Sequence, residues 1–330
     1  MDVITSGALA SWLDRLAAES TLIAPRSVEG VLLYRPVTSS ADIARDFTRP
    51  VLSIKEFFFP ATERLLTIEK TGQTITLQQT LPEGKQVIFG VRPCDARGMK
   101  VMDALFIETS PADTYYASRR ENTTLIGLAC KEMGESCFCT SIGGTPDDHR
   151  DMDIMLTEVE GGYAVQAVTS KGKALLEGVP LQERPGHLPK QVITASFPFP
   201  ETAYWPLRFN DAYWEQMSER CLSCRICAYV CPTCRCFDIR DEPLAVGKDQ
   251  YERIRCWDSC AGEAYRRIAG GHNPRAAKGQ RLRNRFFCKF YYYPQQYGPL
   301  ACTGCGRCVD ACPVNIDITE VMSHLAEVEA

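Results

Sequence analysis

Hydrophobic positions in the first half of the chain follow one helical pattern and several strand-like patterns. Apolar residues from Leu9 to Leu16 recur at helical spacing behind Ser6, which predicts an amphipathic helix capped by that serine. Strand-like runs follow at residues 31–34, 65–68, 74–77, 87–91 and 125–128. Because several of these runs are continuously apolar rather than alternating, they predict strands that are buried on both faces.

The pattern beyond residue 150 predicts how the chain divides. Residues 154–168 form two strand-like runs that meet at Gly161 and Gly162, which is typical of a β-hairpin. Five prolines between residues 184 and 206 oppose a continuous helix there and indicate a linker. We therefore predict an α/β or α+β domain over residues 1–183, a proline-rich linker over 184–206, and a second domain over 207–330.

Two cysteine runs near the carboxyl end repeat the spacing C-x2-C-x2-C-x3-C-P, beginning at Cys221 and at Cys302. In this ferredoxin signature three thiolates bind one [4Fe–4S] cluster and the fourth binds the neighbouring cluster. Structural zinc instead favours two separated C-x2-C pairs, so it fits this spacing poorly. The predicted ligands are Cys221, Cys224, Cys227 and Cys312 for cluster 1, and Cys302, Cys305, Cys308 and Cys231 for cluster 2.

Two apolar runs in the first half end at cysteines. Residues 87–91 lead into Cys94 and Asp95, where the aspartate is placed to cap a following helix, and residues 125–128 lead into Cys130. If these strands are parallel neighbours, both thiols lie at the carboxyl edge of the sheet. Cys137 and Cys139 follow on a glycine-rich loop. The pattern is compatible with a third iron–sulfur cluster held by Cys94, Cys130, Cys137 and Cys139, and equally with a zinc site, a redox thiol pair or buried free cysteines, because C-x-C is not a ferredoxin spacing.

The two ferredoxin-type runs are unusually far apart. Cys231 and Cys302 are separated by 71 positions, so an insertion divides the module, and its composition predicts a mostly α-helical dicluster domain. Five further cysteines have no recognisable quartet spacing, and packing is the expected role for most of them, although a further cluster stays open. They are Cys234, Cys236, Cys256, Cys260 and Cys288.

Composition and charge narrow the class of protein. The chain has 330 residues and 17 cysteines, an odd number that argues against a secreted disulfide scaffold and for a reducing compartment. It has no basic leader before an apolar core and no apolar stretch of about 18 residues, so we expect a soluble, cytoplasmic protein. The net charge is −4, but residues 253–289 contain ten Lys or Arg against two acidic residues. These cations suit anionic iron–sulfur clusters or an acidic protein partner better than nucleic acid, because no nucleic-acid-binding motif accompanies them.

Motifs for other chemistry are missing from the sequence. We find no dinucleotide fingerprint, P-loop, metalloprotease motif or nucleophile elbow, and the four histidines are scattered. No catalytic residue is predicted. The chain is therefore expected to carry electrons without a substrate site of its own.

Six motifs together resemble one family. They are RPCD at 92–95, CFCTS at 137–141, CPTCRC at 231–236, WDSC at 257–260, AGGHNPR at 269–275 and KFYYY at 289–293. From about residue 86 onward, this combination resembles the iron–sulfur beta subunit of cytosolic sulfhydrogenases, which are NAD(P)-linked [NiFe] hydrogenases. It is also similar to the corresponding iron–sulfur component of anaerobic sulfite reductase.

The resemblance implies an electron-transfer subunit of a soluble, multisubunit oxidoreductase. Such a subunit relays electrons between a partner that binds flavin and NAD(P)H and a catalytic partner of the hydrogenase, sulfite reductase or heterodisulfide reductase type. It also favours a cluster at the Cys94 edge. Two alternatives remain: a catalytic reductase acting on a small sulfur compound at that edge, and a zinc-stabilised nucleic-acid binder.

Overall fold

The computed structural model describes residues 1–190, 193, 196–244 and 249–327. Its strands are β1 (Asp2–Thr5), β2 (Thr21–Val28), β3 (Val31–Pro36), β4 (Thr62–Thr71), β5 (Thr74–Gln78), β6 (Gln86–Val91), β7 (Thr123–Leu128), β8 (Ile154–Val159), β9 (Gly162–Ala167), β10 (Gln182–Glu183), β11 (Phe237–Pro243) and β12 (Gln250–Trp257). Its α-helices are α1 (Ser6–Glu19), α2 (Pro93–Phe106), α3 (Thr114–Glu121), α4 (Ser170–Leu175), α5 (Tyr213–Arg220), α6 (Ile226–Tyr229), α7 (Lys278–Phe287), α8 (Tyr293–Tyr297), α9 (Arg307–Asp310) and α10 (Ile318–Glu327). Short 3-10 helices and one π-helix complete these elements: Ser40–Asp42, Ile54–Phe57, Cys139–Ile142, Thr202–Arg208 and the π-helix Cys288–Tyr292.

The larger sheet supports the amino-terminal half. Its strand order is β10-β1-β9-β8-β7-β6-β2-β3, and β2, β6, β7 and β8 run parallel at its centre. Successive side chains of a strand point to opposite faces, so Val87 packs in the core that contains α1, whereas Ile88 packs with Met99 of α2. The continuous apolar runs therefore reflect burial on both faces, as predicted. A mixed α/β architecture is confirmed.

The helix starts differ from the predicted caps. Thr5, not Ser6, caps α1, because its hydroxyl oxygen accepts a hydrogen bond from the amide of Ala8 at 3.2 Å. Helix α2 begins one turn earlier than predicted, with Arg92 at the cap position, so Asp95 lies inside the first turn rather than capping it. The prediction for Asp95 was wrong because a buried ion pair, described below, uses its carboxylate.

The smaller sheet joins distant parts of the chain. Its order is β11-β12-β4-β5, and all neighbouring pairs are antiparallel. The predicted runs at 65–68 and 74–77 fall in β4 and β5, while β11 and β12 come from the insertion between the two cysteine runs. This insertion thus contains two strands that the sequence pattern did not predict, alongside the expected helix α7. The predicted hairpin at 154–168 is present as β8 and β9, turning at Glu160 and Gly161.

The predicted linker ends in an ordered segment. Residues 191–192 and 194–195 of this stretch lie outside the described residues. The 3-10 helix Thr202–Arg208 nevertheless contains Pro206, and Trp205 is buried in a core with Trp214, Phe287 and Phe290. Phe138 of the amino-terminal half lies in that same core. The division at residues 184–206 remains a prediction, and strands and core residues from both sides of it pack together.

Among the described residues, no helix has both the length and the apolar character needed to cross a membrane.

Candidate metal centres

The four predicted cysteines of the first half line one pocket at the carboxyl edge of the larger sheet. Cys94 lies at the second position of α2, just after β6, and Cys130 lies two residues after β7. Because β6 and β7 are parallel neighbours, their carboxyl ends meet at the same edge. Cys137 and Cys139 reach the pocket from the following loop, and Cys305 of the second ferredoxin-type run lines it as well.

These thiols influence one another electrostatically. Burial, followed by the charges of Asp95 and Cys305, raises the pKa of Cys94 well above its usual value. Burial, followed by Cys137 and Cys130, raises the pKa of Cys139 to about 11. Without a metal the raised pKa values of Cys94 and Cys139 keep these two thiols protonated near neutral pH, and ligation would release their protons. Four thiols gathered in one partly buried pocket form a donor set that fits an iron–sulfur cluster.

Two arginines organise the rim of this pocket. The guanidinium of Arg92 donates hydrogen bonds to the carbonyl oxygens of Leu128 and Ala129 at 3.0 and 2.9 Å, and to Thr48 O at 2.7 Å. It thereby ties the end of β7 to the loop around Thr48. Arg49, the next residue on that loop, donates to the Cys137 sulfur at 3.5 Å. The pocket thus carries a cation directed at one of its sulfurs, which suits an anionic cluster.

A buried ion pair connects the pocket to the second ferredoxin-type run. Arg307, between Cys305 and Cys308, donates two hydrogen bonds to the carboxylate of Asp95 at 2.5 and 2.8 Å. Both residues are buried, at 2% and 0% side-chain exposure. Bidentate pairs of this kind fix orientation as well as distance. The pair therefore sets α2, with Cys94, against the run that starts at Cys302.

The loop of Cys137 and Cys139 also touches that run directly. The Phe138 amide donates to Gly304 O at 2.8 Å. A Cβ atom at Gly304 would lie 2.5 Å from both N and Cα of Cys139, so only glycine permits this approach. The first-half pocket and the second run are consequently in van der Waals contact.

The two ferredoxin-type runs share one backbone conformation. Ser223 and Arg225 flank Cys224 with φ of 55° and 67°, and Gly304 and Gly306 flank Cys305 with φ of 67° and 74°. Left-handed conformations are costly for residues with a side chain and persist where the surroundings impose them. Turns of this kind direct successive amides into a concave nest that suits phosphates and iron–sulfur clusters. The repeated spacing in the sequence therefore corresponds to a repeated anion-binding geometry.

The quartet predicted for cluster 2 is assembled around Cys231. Burial raises the pKa of Cys308 to about 12, and the charges of Cys231, Cys305 and Cys302 also raise it, whereas Arg285 lowers it. Three of the four residues, Cys231, Cys302 and Cys305, are buried. The fourth cysteine of the first run thus lies near the first three of the second run, and which thiols share a cluster stays a prediction from the signature.

The quartet predicted for cluster 1 lies nearer the surface. Cys224 is exposed, and the other three members are partly buried. The amide of Ser223 donates to the Cys221 sulfur at 3.4 Å, and that of Ile316 donates to the Cys312 sulfur at 3.2 Å. Helices α6 and α9, which carry Cys227 and Cys308, pack against each other. Amide donors to sulfur stabilise thiolates and suit ligation.

Buried cations occupy the space between these thiols. Lys289 donates to the Cys231 sulfur at 3.2 Å and to the oxygens of Thr233 and Ala301 at 3.0 Å each. Burial alone would lower the pKa of Lys289, but the charges of Cys231 and Cys234 raise it overall. Arg285, one turn earlier, lies among Cys227 and Cys308, whose charges raise its pKa despite burial. Part of the basic segment seen in the sequence therefore faces sulfur inside the protein.

The arrangement of these cysteines differs from a site that binds a single metal ion. Within the described part of the chain, no three His, Cys, Asp or Glu side chains meet as the ligands of one metal ion would. In a [4Fe–4S] cluster each thiolate binds a different iron, so the sulfurs surround the cluster. Residues that the sequence reasoning missed are Arg49, Arg92, Arg307 and the pairing role of Asp95. The RPCD motif at 92–95 was visible, but its partners lie far away along the chain.

Comparisons with known proteins agree with this arrangement. The family described as 4Fe-4S dicluster domain matches residues 220–316, which confirms the prediction of iron–sulfur clusters. The chain is also similar to Sulfhydrogenase 2 subunit beta of Pyrococcus furiosus, with 30% identity over an alignment that covers 96% of this chain and 95% of the relative. The similarity therefore extends beyond the motifs that begin near residue 86. No solved structure matches the chain significantly.

The Asp95–Arg307 pair gives a test of how the two halves are held together. Replacing Asp95→Asn leaves the buried guanidinium without its counter-charge, and we expect a loss of about 3–5 kcal/mol in the free energy of unfolding. Anaerobic denaturant titration measures this. The matched control is Asp241→Asn, which breaks the exposed pair with Arg253 and should leave the midpoint unchanged. Equal midpoints for both variants would contradict the assigned role.

Proposed function

Because the chain belongs to the sulfhydrogenase beta-subunit family, we propose that it relays electrons between partner subunits through three [4Fe–4S] clusters. The proposed ligands are Cys221, Cys224, Cys227 and Cys312 for cluster 1, Cys302, Cys305, Cys308 and Cys231 for cluster 2, and Cys94, Cys130, Cys137 and Cys139 for cluster 3. When bound, such clusters supply reversible one-electron transfer. No residue of the chain is assigned a catalytic role.

One observation carries the proposal: Cys305 lines the same pocket as the four cysteines of the first half. The Cys137 thiol additionally donates to Cys305 O at 3.7 Å. Cys305, a proposed ligand of cluster 2, therefore adjoins the proposed site of cluster 3, and the crossed signature would bring clusters 1 and 2 side by side through Cys231. An isolated catalytic thiol site would not need this contiguity, whereas a relay requires it.

The chain's own side chains prepare these sites. Phe138, between Cys137 and Cys139, is buried in the carboxy-terminal core, and its amide donates to Gly304 O. Lys289 and Arg285 hold positive charge beside the sulfurs, and positive charge favours the reduced, more anionic form of a cluster. Arg49 does the same at the Cys137 sulfur.

The surface around Cys224 suits the approach of a partner subunit. Cys224 is exposed, and its neighbours Leu222 and Ile226 are 64% and 37% exposed. Apolar side chains at the core of an interface exclude water, and a cluster next to the surface shortens the path to a partner. We assign this surface to one port of the relay.

Membership of this family suggests which subunits bind the chain. We propose a cytoplasmic hetero-oligomer in which a flavin- and NAD(P)H-binding subunit contacts one end and a catalytic subunit, of hydrogenase type, contacts the other. Anaerobic affinity purification of the tagged chain from its native cells should recover both subunits. An isolated chain that by itself oxidised NADH, or reduced sulfite or a disulfide, would contradict the relay.

The third cluster is tested by Cys139→Ser. We expect the full-length chain, prepared anaerobically, to lose about four irons and four acid-labile sulfides relative to the wild type, because one cubane is lost. The control is Cys256→Ser, which alters a cysteine near the end of β12, an inner strand of the smaller sheet. If Cys139→Ser contained as much iron as the wild type, Cys139 would not be a ligand of cluster 3.

Lys289 gives a test of electrostatic tuning. In Lys289→Gln the cluster held by Cys231 loses a buried cation, so its reduction potential should fall by on the order of 60 mV, equivalent to about 1.4 kcal/mol for one electron. Redox titration followed by electron paramagnetic resonance measures the potential. Lys100→Gln, which removes an exposed lysine paired with Glu108, should leave it unchanged. A potential insensitive to Lys289→Gln would refute the tuning role.

A further inference from the structure

Four cysteines outside the three proposed quartets converge on a second interior location. The thiols of Cys236 and Cys260 share a hydrogen bond. Cys234 and Cys288 lie within electrostatic range of the Cys260 sulfur. All four are partly buried. Their positions in the sequence show no regular spacing, because they come from three separate segments.

The base of the β11–β12 hairpin brings Cys234, Cys236 and Cys260 together. Phe237 pairs with Trp257 at the open end of the hairpin, and the Asp258 amide donates to Cys236 O at 2.9 Å. The chain then turns at Ser259, which is fully buried, and presents Cys260 to Cys236. Strand pairing thus fixes the separation of these two cysteines independently of any ligand.

Cys288 is supplied by a rare backbone feature. The helix of residues 278–287 passes into a π-helix over Cys288–Tyr292. Such local widening of a helix occurs frequently at functional sites. Lys289, the next residue, contacts the sulfur of Cys231, whereas Cys288 accepts a hydrogen bond from Arg235 at 3.4 Å. Cys288 therefore belongs to one group of thiols, whereas its neighbour Lys289 contacts a thiol of another group.

Cationic or hydrogen-bonding side chains lie beside three of the four sulfurs. Besides Arg235 on Cys288, Arg285 lies 3.8 Å from the Cys234 sulfur, and the Tyr265 hydroxyl donates to Cys236. Lys55, at 2% exposure, donates to Cys234 O at 3.1 Å. Thiols that only packed in an apolar core would not require cations from separate elements of the fold. A [4Fe–4S] cluster together with its four thiolates carries a net negative charge, which buried cations would compensate.

The location also adjoins an assigned site. The thiols of Cys234 and Cys231 share a hydrogen bond, and Cys231 is a proposed ligand of cluster 2. Zinc has no redox chemistry to contribute at such a position. We propose that Cys234, Cys236, Cys260 and Cys288 bind a fourth [4Fe–4S] cluster, next to cluster 2. The sulfurs bind a cluster as thiolates, so any proton that they carry is released on binding.

Cys256 is excluded from this quartet and provides the matched control. It lies within β12, where its Cα is paired with Asp238 on one side and Thr62 on the other. It is partly buried like the quartet and only four residues from Cys260. Serine at this position removes one thiol without touching the proposed ligands.

The test compares Cys260→Ser, Cys288→Ser and Cys256→Ser with the wild type as full-length, anaerobically prepared chains. Iron, zinc and acid-labile sulfide are counted, and the spins of the dithionite-reduced samples are integrated by electron paramagnetic resonance. We expect each quartet variant to lose about four irons and four sulfides per chain, with the corresponding loss of one cluster signal. Cys256→Ser should match the wild type.

The test compares the iron and sulfide content of each variant with that of the wild type. Its outcome therefore does not depend on whether cluster 3 exists. Because Cys260 and Cys288 lie on different elements, a variant that fails to fold is replaced by the other. Quartet variants that keep the wild-type iron content would overturn the proposal. So would the loss of one zinc per chain without loss of iron.

Discussion

Buried positive charge beside buried sulfur is the interaction on which the rest of this structure depends. Thiolates and iron–sulfur clusters carry negative charge, and an uncompensated charge in a protein interior is strongly unfavourable. Lys289, Arg285 and Arg307 are all buried, and each lies beside cysteines of the ferredoxin-type runs. Their own burial is favourable only because the sulfurs and Asp95 accept their charge. Cations and sulfurs therefore stabilise each other.

This constraint explains why the two halves of the chain interlock. Arg307 reaches Asp95 across 212 positions, and Gly304 admits Cys139 at a distance that no side chain would allow. Helix α2 packs equally closely on the other run, since a Cβ at Gly98 would lie 2.8 Å from that of Pro232. The thiol pockets form where these contacts meet. A diffusible ferredoxin needs none of them, whereas a fixed relay needs its sites held at constant separation.

Local spacing explains what the sequence could predict. The C-x2-C-x2-C-x3-C-P runs indicate clusters because all their ligands but one lie within one turn-rich segment. The edge position of Cys94 and Cys130 followed from two apolar strands and the rule for parallel neighbours. The partners of Asp95 and the convergence of Cys234, Cys236 and Cys260 could not be predicted. Both depend on pairing between distant segments. The composition of the charged insertion predicts helix, but the insertion contains the β11–β12 hairpin that brings these three cysteines together.

We propose that neighbouring cluster sites share buried cations such as Arg285, which lies among Cys227 and Cys308. Diffraction from anaerobic crystals of the full-length chain, measured above and below the iron absorption edge, tests it most directly. We expect separate iron sites beside Cys94, Cys231 and Cys221, with the amine of Lys289 still at the Cys231 sulfur. Iron absent beside Cys94, or Lys289 and Arg285 turned towards solvent, would contradict it.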